Sequence, residues 1–137
     1  MKSLSFTLLI AAIIPACTAL ETKSASDASL EQKLQHTWAY RESSKNLRIE
    51  AKTAYLPGGV MNLAGHVSQN GQIKPVLTSG TWHVKDGYLY YTITKSNLPS
   101  IIPNGFTSGD KIVRVTDSEF TYISSADGKT VTEHRIR

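Results

Sequence analysis

The sequence predicts an all-β protein: a single eight-stranded antiparallel up-and-down barrel preceded by a short N-terminal helix. Three observations predict this fold. Eight runs of residues alternate apolar and polar side chains with a period of two, the pattern of half-buried strands. Short turns rich in glycine, asparagine and aspartate join nearly all of these runs, so consecutive runs pair as hairpins. Such a meander has exposed edges unless the sheet closes, and closure into a barrel removes them.

Size and composition are those of one globular domain. The chain has 137 residues, of which 40% are hydrophobic and 19% charged, and this balance excludes the highly charged class of disordered proteins. The formal net charge is +4, but the basic residues are scattered and form no cluster. The charge therefore does not indicate binding to nucleic acid.

Residues 1–16 are predicted to be an export signal. Lys2 supplies a positive charge, and the apolar run that follows is shorter than the roughly 20 residues that span a membrane. The run ends in Ile-Pro-Ala-Cys at Cys17, the only cysteine, and this tetrapeptide resembles the bacterial lipoprotein box. We therefore expect lipid attachment at Cys17 and an outer-membrane lipoprotein facing the periplasm. The alternative is cleavage after Ala19, which gives a soluble periplasmic or secreted protein.

The segment 17–29 is small and polar and is predicted to be a tether, followed by the barrel domain over 30–137. Ser29 begins a capping box, Ser-Leu-Glu-Gln, which predicts a short helix over 30–35. No cysteine follows the tether, so the domain depends on its apolar core and not on disulfides.

The strand pattern also predicts individual boundaries and pairings. The predicted strands cover 37–42, 47–56, 60–68, 76–85, 88–95, 111–116, 119–125 and 130–136. Because Pro75 has no backbone N–H, we expect the fourth strand to begin after it. Folding about the Asp-Gly turn places Trp82 opposite Tyr91, and folding about the Asp-Ser turn places Val113 opposite Tyr122.

The connection 96–110 is the longest one and carries apolar side chains where a solvated loop would be polar, including Ile101, Ile102 and Phe106. It is predicted to be a lid over an open barrel mouth or a contact surface for a partner or membrane, or else an Ω-loop packed on its own side chains. It is also the only connection long enough for a two-sheet sandwich, which is the alternative architecture.

A short helix, Thr37-Trp38 at the start of the first strand, the eight-strand meander and Arg135 in the last strand together resemble the lipocalin-like (calycin) barrels. The resemblance covers most of 30–137 and is greatest to the short bacterial members, many of which are lipoproteins. In that superfamily a Trp packs at the closed end of the barrel beneath an Arg, and the resemblance gives this structural plug to Trp38 and Arg135. His36 stands where the family signature has Gly.

Inward-facing aromatic and apolar side chains are the candidates for a ligand site, because an eight-stranded barrel can hold one small molecule. These candidates are Tyr55, Trp82, Tyr91, Tyr122, Ile101, Ile102 and Phe106. The same side chains are also compatible with a filled lumen. We expect an envelope protein that binds a small apolar or amphipathic ligand; the alternative is a filled barrel that acts as an interaction or inhibitor module.

Catalytic and metal-binding patterns are not evident in the sequence. The four histidines have no ligand-type spacing, and the strand glutamates have no paired acid or base. No nucleophile elbow occurs. We therefore expect no enzymatic activity, no metal, no cofactor and no nucleic-acid partner; the expected partners are a small hydrophobic ligand and, through the lipid anchor, a membrane.

Overall fold

The computed structural model describes residues 24–137, which form one helix and a closed eight-stranded antiparallel barrel. The predicted export signal and Cys17 lie outside the described residues. The elements are α1 Ala25–Leu34, β1 Thr37–Ser43, β2 Leu47–Leu56, β3 Val60–Gln69, β4 Gln72–Lys85, β5 Tyr88–Ser96, β6 Thr107–Val115, β7 Glu119–Ile123 and β8 Thr130–Arg135. Each strand pairs with its sequence neighbour, and β8 pairs with β1. The predicted barrel is confirmed, and the two-sheet sandwich does not form.

Helix α1 begins earlier than predicted because Ser24 caps it. The Ser24 Oγ accepts a hydrogen bond from the Asp27 backbone N–H at 3.2 Å, and Asp27 adds a negative charge to the first turn. The capping box at Ser29 is therefore not the start of the helix. Residues 25–29 belong to the helix and not to the tether.

The helix closes one end of the barrel. The Asp27 carboxylate accepts hydrogen bonds of 2.8 and 3.0 Å from the backbone N–H groups of Asp86 and Gly87, in the turn between β4 and β5. Leu34 is fully buried in the core, and its carbonyl oxygen accepts a 3.0 Å hydrogen bond from Trp38 Nε1. Both ends of the helix are thus joined to the barrel, and we call this the closed end.

Strand β4 includes Pro75, so the predicted start of the fourth strand was wrong. Pro75 pairs with His66 of β3, and on the other side β5 pairs with β4 only from Thr78 onward. Strand β5 ends at Ser96, and beyond it the side chain of Asn97 provides hydrogen bonds to the β4 backbone. Its Nδ2 donates to the Pro75 carbonyl oxygen at 3.0 Å, and its Oδ1 accepts from the Leu77 N–H at 2.7 Å. The missing N–H of proline is tolerated because β5 ends before this level.

Strand β6 contains a register shift after Ile112, which changes one predicted pairing. Ile112 pairs with Tyr122, and Val113 lies exposed on the outside of the barrel. The prediction for Val113 was wrong because a β-bulge adds one residue to β6 at this point. The bulge shifts the alternation, so Ile112 and not Val113 lies opposite Tyr122. The strand also begins at Thr107, so the long connection is reduced to 97–106.

The core is tightly packed at the closed end. Trp38 and Phe120 are both 0% exposed, and their rings meet edge to face with centroids 5.8 Å apart. The β1–β8 pairing places Arg135 opposite Trp38, and the Arg135 guanidinium donates to the Asp117 carbonyl oxygen at 3.4 Å. The two residues that the resemblance matched are therefore neighbours, while the packing of the Arg135 guanidinium over the Trp38 ring stays a prediction.

Candidate functional site

The end of the barrel opposite α1 encloses a cavity of about 690 Å³. Its mouth lies between the β1–β2 turn, the β7–β8 turn and the connection 97–106, which we call the rim loop. Ser44 and Asp127 line this mouth from the two turns. The volume lies within the range of about 300 to 1,000 Å³ that is usual for small-molecule sites.

Several side chains that point into the barrel at this end are only partly buried. They alternate along the strands with exposed outward residues, so they lie on the inner face. If the lumen were filled with side chains, these residues would be fully buried. The partly buried, cavity-lining residues are Tyr40, Leu47, Leu63, Tyr91 and Val131. The lumen is therefore open at this end.

Six of the seven residues predicted from the sequence line the cavity. They are Tyr55, Tyr91, Tyr122, Ile101, Ile102 and Phe106. The seventh, Trp82, lies behind Tyr55, with ring centroids 5.2 Å apart, and its Nε1 donates to the Leu56 carbonyl oxygen at 3.0 Å. Trp82 is buried nearer the closed end than Tyr55 and does not line the cavity, so it lies beneath the cavity floor.

The rim loop is a hydrogen-bonded section of the cavity wall. Its residues Leu98, Ile101 and Ile102 pack against the buried cluster of β2, β3 and β4. The cavity is lined by Ile101, Ile102, Pro103 and Phe106 of the loop. The Gly105 N–H donates to the Ile93 carbonyl oxygen at 2.7 Å, and the Ile93 N–H donates to the Phe106 carbonyl oxygen at 2.8 Å. The ring of Phe106 lies 6.2 Å from that of Tyr91. The loop therefore covers part of the mouth with space beneath it.

Two buried carboxyl groups line the same cavity. Glu133 is 3% exposed, and its Oε1 accepts a 2.9 Å hydrogen bond from the Tyr122 hydroxyl. Within the described part of the chain, Glu133 Oε2 has no hydrogen-bond partner. The Asp110 carboxyl accepts hydrogen bonds from Ser108 Oγ at 3.1 Å and from the Ser125 N–H at 2.9 Å. The cavity thus combines an apolar wall with a small number of polar groups.

Burial changes the ionisation of these groups. It raises the pKa of Glu133 to about 7; the hydrogen bond from Tyr122 opposes this rise, and the nearby charge of Asp110 adds to it. Burial also raises the pKa of Tyr91 to about 12 and the pKa of Tyr55 well above its ordinary value. These phenols are therefore neutral near pH 7 and offer hydroxyl groups and aromatic faces.

The sequence analysis did not identify Glu133 and Asp110 as site residues. The alternation in the last strand could have identified Glu133 as an inward-facing residue, because it lies on the same face as Val131 and Arg135. Asp110 was missed because the sixth strand was expected to begin after it and because the bulge after Ile112 disrupts the alternation there.

Neither a metal cluster nor a membrane-spanning helix is found among residues 24–137. No group of three or more His, Cys, Asp or Glu side chains there is arranged to hold a metal ion, and no helix there is long and apolar enough to cross a membrane. No protein-family model matches the sequence, and no curated protein is significantly similar to it.

Proposed function

We propose that this protein is an exported, lipocalin-like envelope lipoprotein that binds a small apolar or amphipathic molecule inside its barrel. The observation that carries the proposal is the cavity of about 690 Å³, several of whose inward-facing side chains near the mouth remain partly exposed. Because α1 covers the closed end, a ligand would enter at the rim loop.

The wall of the cavity supports an apolar or amphipathic ligand. Leu63, Ile102 and Phe106 offer apolar surface that a bound ligand would remove from water, at about 25 cal/mol per Å². The neutral hydroxyl groups of the tyrosines and the carboxyl of Glu133 would orient a polar group on the same molecule.

Binding of the neutral fluorophore Nile red tests this function. A bulky side chain at Leu63 would fill the cavity, since Leu63 lies between the buried residues Thr53 and Thr78 on the inner face. We expect the wild type to bind Nile red with enhanced emission, and Leu63→Trp to bind it about tenfold more weakly or worse.

Asn62→Trp is the matched control, because Asn62 is the neighbouring residue on the exposed outer face of β3. It should bind Nile red within about twofold of the wild type. Circular dichroism would verify that both variants fold. Failure of the wild type to bind, or equal binding by Leu63→Trp, would contradict the proposal. A small molecule that co-purifies from the cell envelope, detected by native mass spectrometry, would identify the ligand class directly.

The envelope location rests on the predicted export signal and on Cys17, the only cysteine of the chain. We expect the wild type to fractionate with membranes and to require detergent for release, because multiple acyl chains give stable anchoring. Cys17→Ser should appear in the soluble fraction. If this variant fractionates like the wild type, lipid attachment at Cys17 is wrong.

A second candidate function is an envelope interaction or inhibitor module that uses the outer surface and takes no small molecule. The observation that favours it is the outer face of β4, where Ile73 is 71% and Leu77 61% exposed. Exposed apolar residues on one strand are typical of contact surfaces. Loss of partner binding in Leu77→Ser together with the absence of Nile red binding would support this module.

A further inference from the structure

The deep end of the cavity has a polar group that the barrel itself does not satisfy. Glu133 is 3% exposed and lines the cavity, and only one of its two carboxyl oxygens is hydrogen-bonded within the described residues. A buried polar atom without a partner is costly, so natural proteins retain one mainly where something else completes it. Thr78 Oγ1, also at the cavity wall, is in the same situation.

The charge inside the cavity is negative. The charged group that acts on Glu133 is Asp110, a second carboxyl. The basic side chains that line the cavity, Arg41 and Lys129, are exposed at its mouth, where Lys129 pairs with Asp127 at 3.9 Å. Two carboxyl groups thus share the interior, while the basic groups of the lining lie in solvent.

Aromatic rings surround this negative region. Tyr40, Tyr55, Tyr91 and Tyr122 all line the cavity, and Tyr122 donates its hydroxyl to Glu133. Burial raises the pKa of each of these four tyrosines, so they stay neutral. The face of a neutral phenol ring attracts a cation, and this attraction is stronger when water is excluded.

Resting on the proposed ligand-binding function, we propose that the cavity selects amphipathic amines. The protonated amino group binds at Glu133 among the tyrosine rings, and the apolar part of the ligand extends along the wall toward the rim loop. The ammonium donates a hydrogen bond to the carboxylate of Glu133, which lines the cavity and has one oxygen without a partner among the described residues.

The same arrangement discriminates against other amphipathic molecules. A fatty acid with its carboxylate at this depth would face Glu133 and Asp110 in a site shielded from water, where like charges repel strongly. An alcohol can donate a hydrogen bond to Glu133, but it leaves the negative charge uncompensated. Only the cationic head group supplies both the donor and the charge.

Three ligands with the same eight-carbon chain separate these possibilities: octylammonium, octanol and octanoate. Each would compete with Nile red at concentrations below micelle formation or, for octanol, below its solubility limit, and above pH 7, where Glu133 is ionised. We expect octylammonium to displace Nile red from the wild type at concentrations about tenfold lower than octanol, and octanoate to be the weakest. Glu133→Gln should weaken octylammonium binding by about tenfold to a hundredfold. It should weaken octanol binding by clearly less, because the amide oxygen of Gln still accepts a hydrogen bond from the alcohol.

Glu119→Gln is the matched control. It removes one carboxylate from the neighbouring strand β7, where Glu119 lies outside the cavity and pairs with Arg114. Its octylammonium affinity should equal that of the wild type. Equal displacement by all three ligands, or tight octylammonium binding by Glu133→Gln, would overturn the amine preference while the ligand-binding function stands. If Nile red itself does not bind, the proposed function fails, and the amine preference fails with it.

Discussion

The two ends of the barrel are built from the same eight strands but are packed in opposite ways. At the closed end α1 lies across the opening, and Trp38, Phe120 and Leu34 are fully buried. At the open end the inward residues Tyr40 and Leu63 are only partly buried around a cavity of about 690 Å³. The number of aromatic residues does not explain this difference, because both ends carry several.

The difference lies in what covers each layer of side chains. Trp38 is enclosed by Leu34 of the helix and by the ring of Phe120, whereas Tyr91 has the rim loop on one side and the cavity on the other. An aromatic side chain on the inner face therefore becomes core only where another element closes over it. The closed end supplies stability, and the open end supplies space.

The largest expected effect is at Trp38. Trp38→Ala should lower the free energy of unfolding by about 3 to 5 kcal/mol, because it removes the largest fully buried side chain and leaves a void beside Phe120. Urea unfolding followed by circular dichroism measures this loss. A loss below about 1 kcal/mol would mean that the closed end is not the main source of stability.

The pH dependence of stability should reveal the buried carboxyl of the open end. The pKa of Glu133 is raised from 4.5 to about 7, so the folded state holds a proton there that the unfolded chain has released. The stabilisation is complete below about pH 4.5 and is lost as the pH rises through 7.

The size of this effect is about 2 to 3 kcal/mol, and Glu133→Gln isolates it because Asp110 is present in both proteins. Thermal or urea unfolding at a series of pH values measures the difference between the two proteins. Between about pH 4.5 and pH 7 the wild type should lose this free energy of unfolding and the variant should not. The stability of the variant relative to the wild type should therefore increase over this pH range. Parallel curves would show that the Glu133 carboxyl is solvated.

The same substitution at the two ends gives the most direct comparison. Leu34→Ala should cost about 2 to 5 kcal/mol, because Leu34 is fully buried. Leu63→Ala should cost about 1 kcal/mol, because Leu63 is partly exposed and its truncation enlarges an existing cavity. Chemical unfolding of both variants under one set of conditions measures the difference. Equal losses would mean that the open end is packed in solution.

The sequence was sufficient to predict most of the barrel. Strand β2 has the predicted bounds because the alternation is regular and turn residues mark both of its ends. The start of α1 was missed although its signal is local, since Ser24 caps the helix through the Asp27 N–H. The inclusion of Pro75 in β4 was not predictable, since it depends on the side chain of the distant Asn97. The alternation of apolar and polar residues shows on which face of a strand a side chain lies. It does not show which distant segments that side chain contacts.

The site was partly predictable for a related reason. Inward-facing aromatic residues such as Tyr55 and Tyr91 could be identified from the period of two, and both line the cavity. The position of Trp82 beneath the cavity floor depends on its level along the barrel axis. The period of two shows that Trp82 points inward but does not show this level. The bulge after Ile112 likewise disrupts the alternation in β6 and obscured Asp110.

The attachment of α1 also determines at which end of the barrel the described chain begins. The helix begins at Ala25 and is joined to the barrel by Asp27, so the chain leaves the barrel on the side away from the cavity mouth. If Cys17 carries acyl chains as proposed, the tether joins the barrel at its sealed base. Entry of a ligand at the mouth then requires no displacement of the anchored helix.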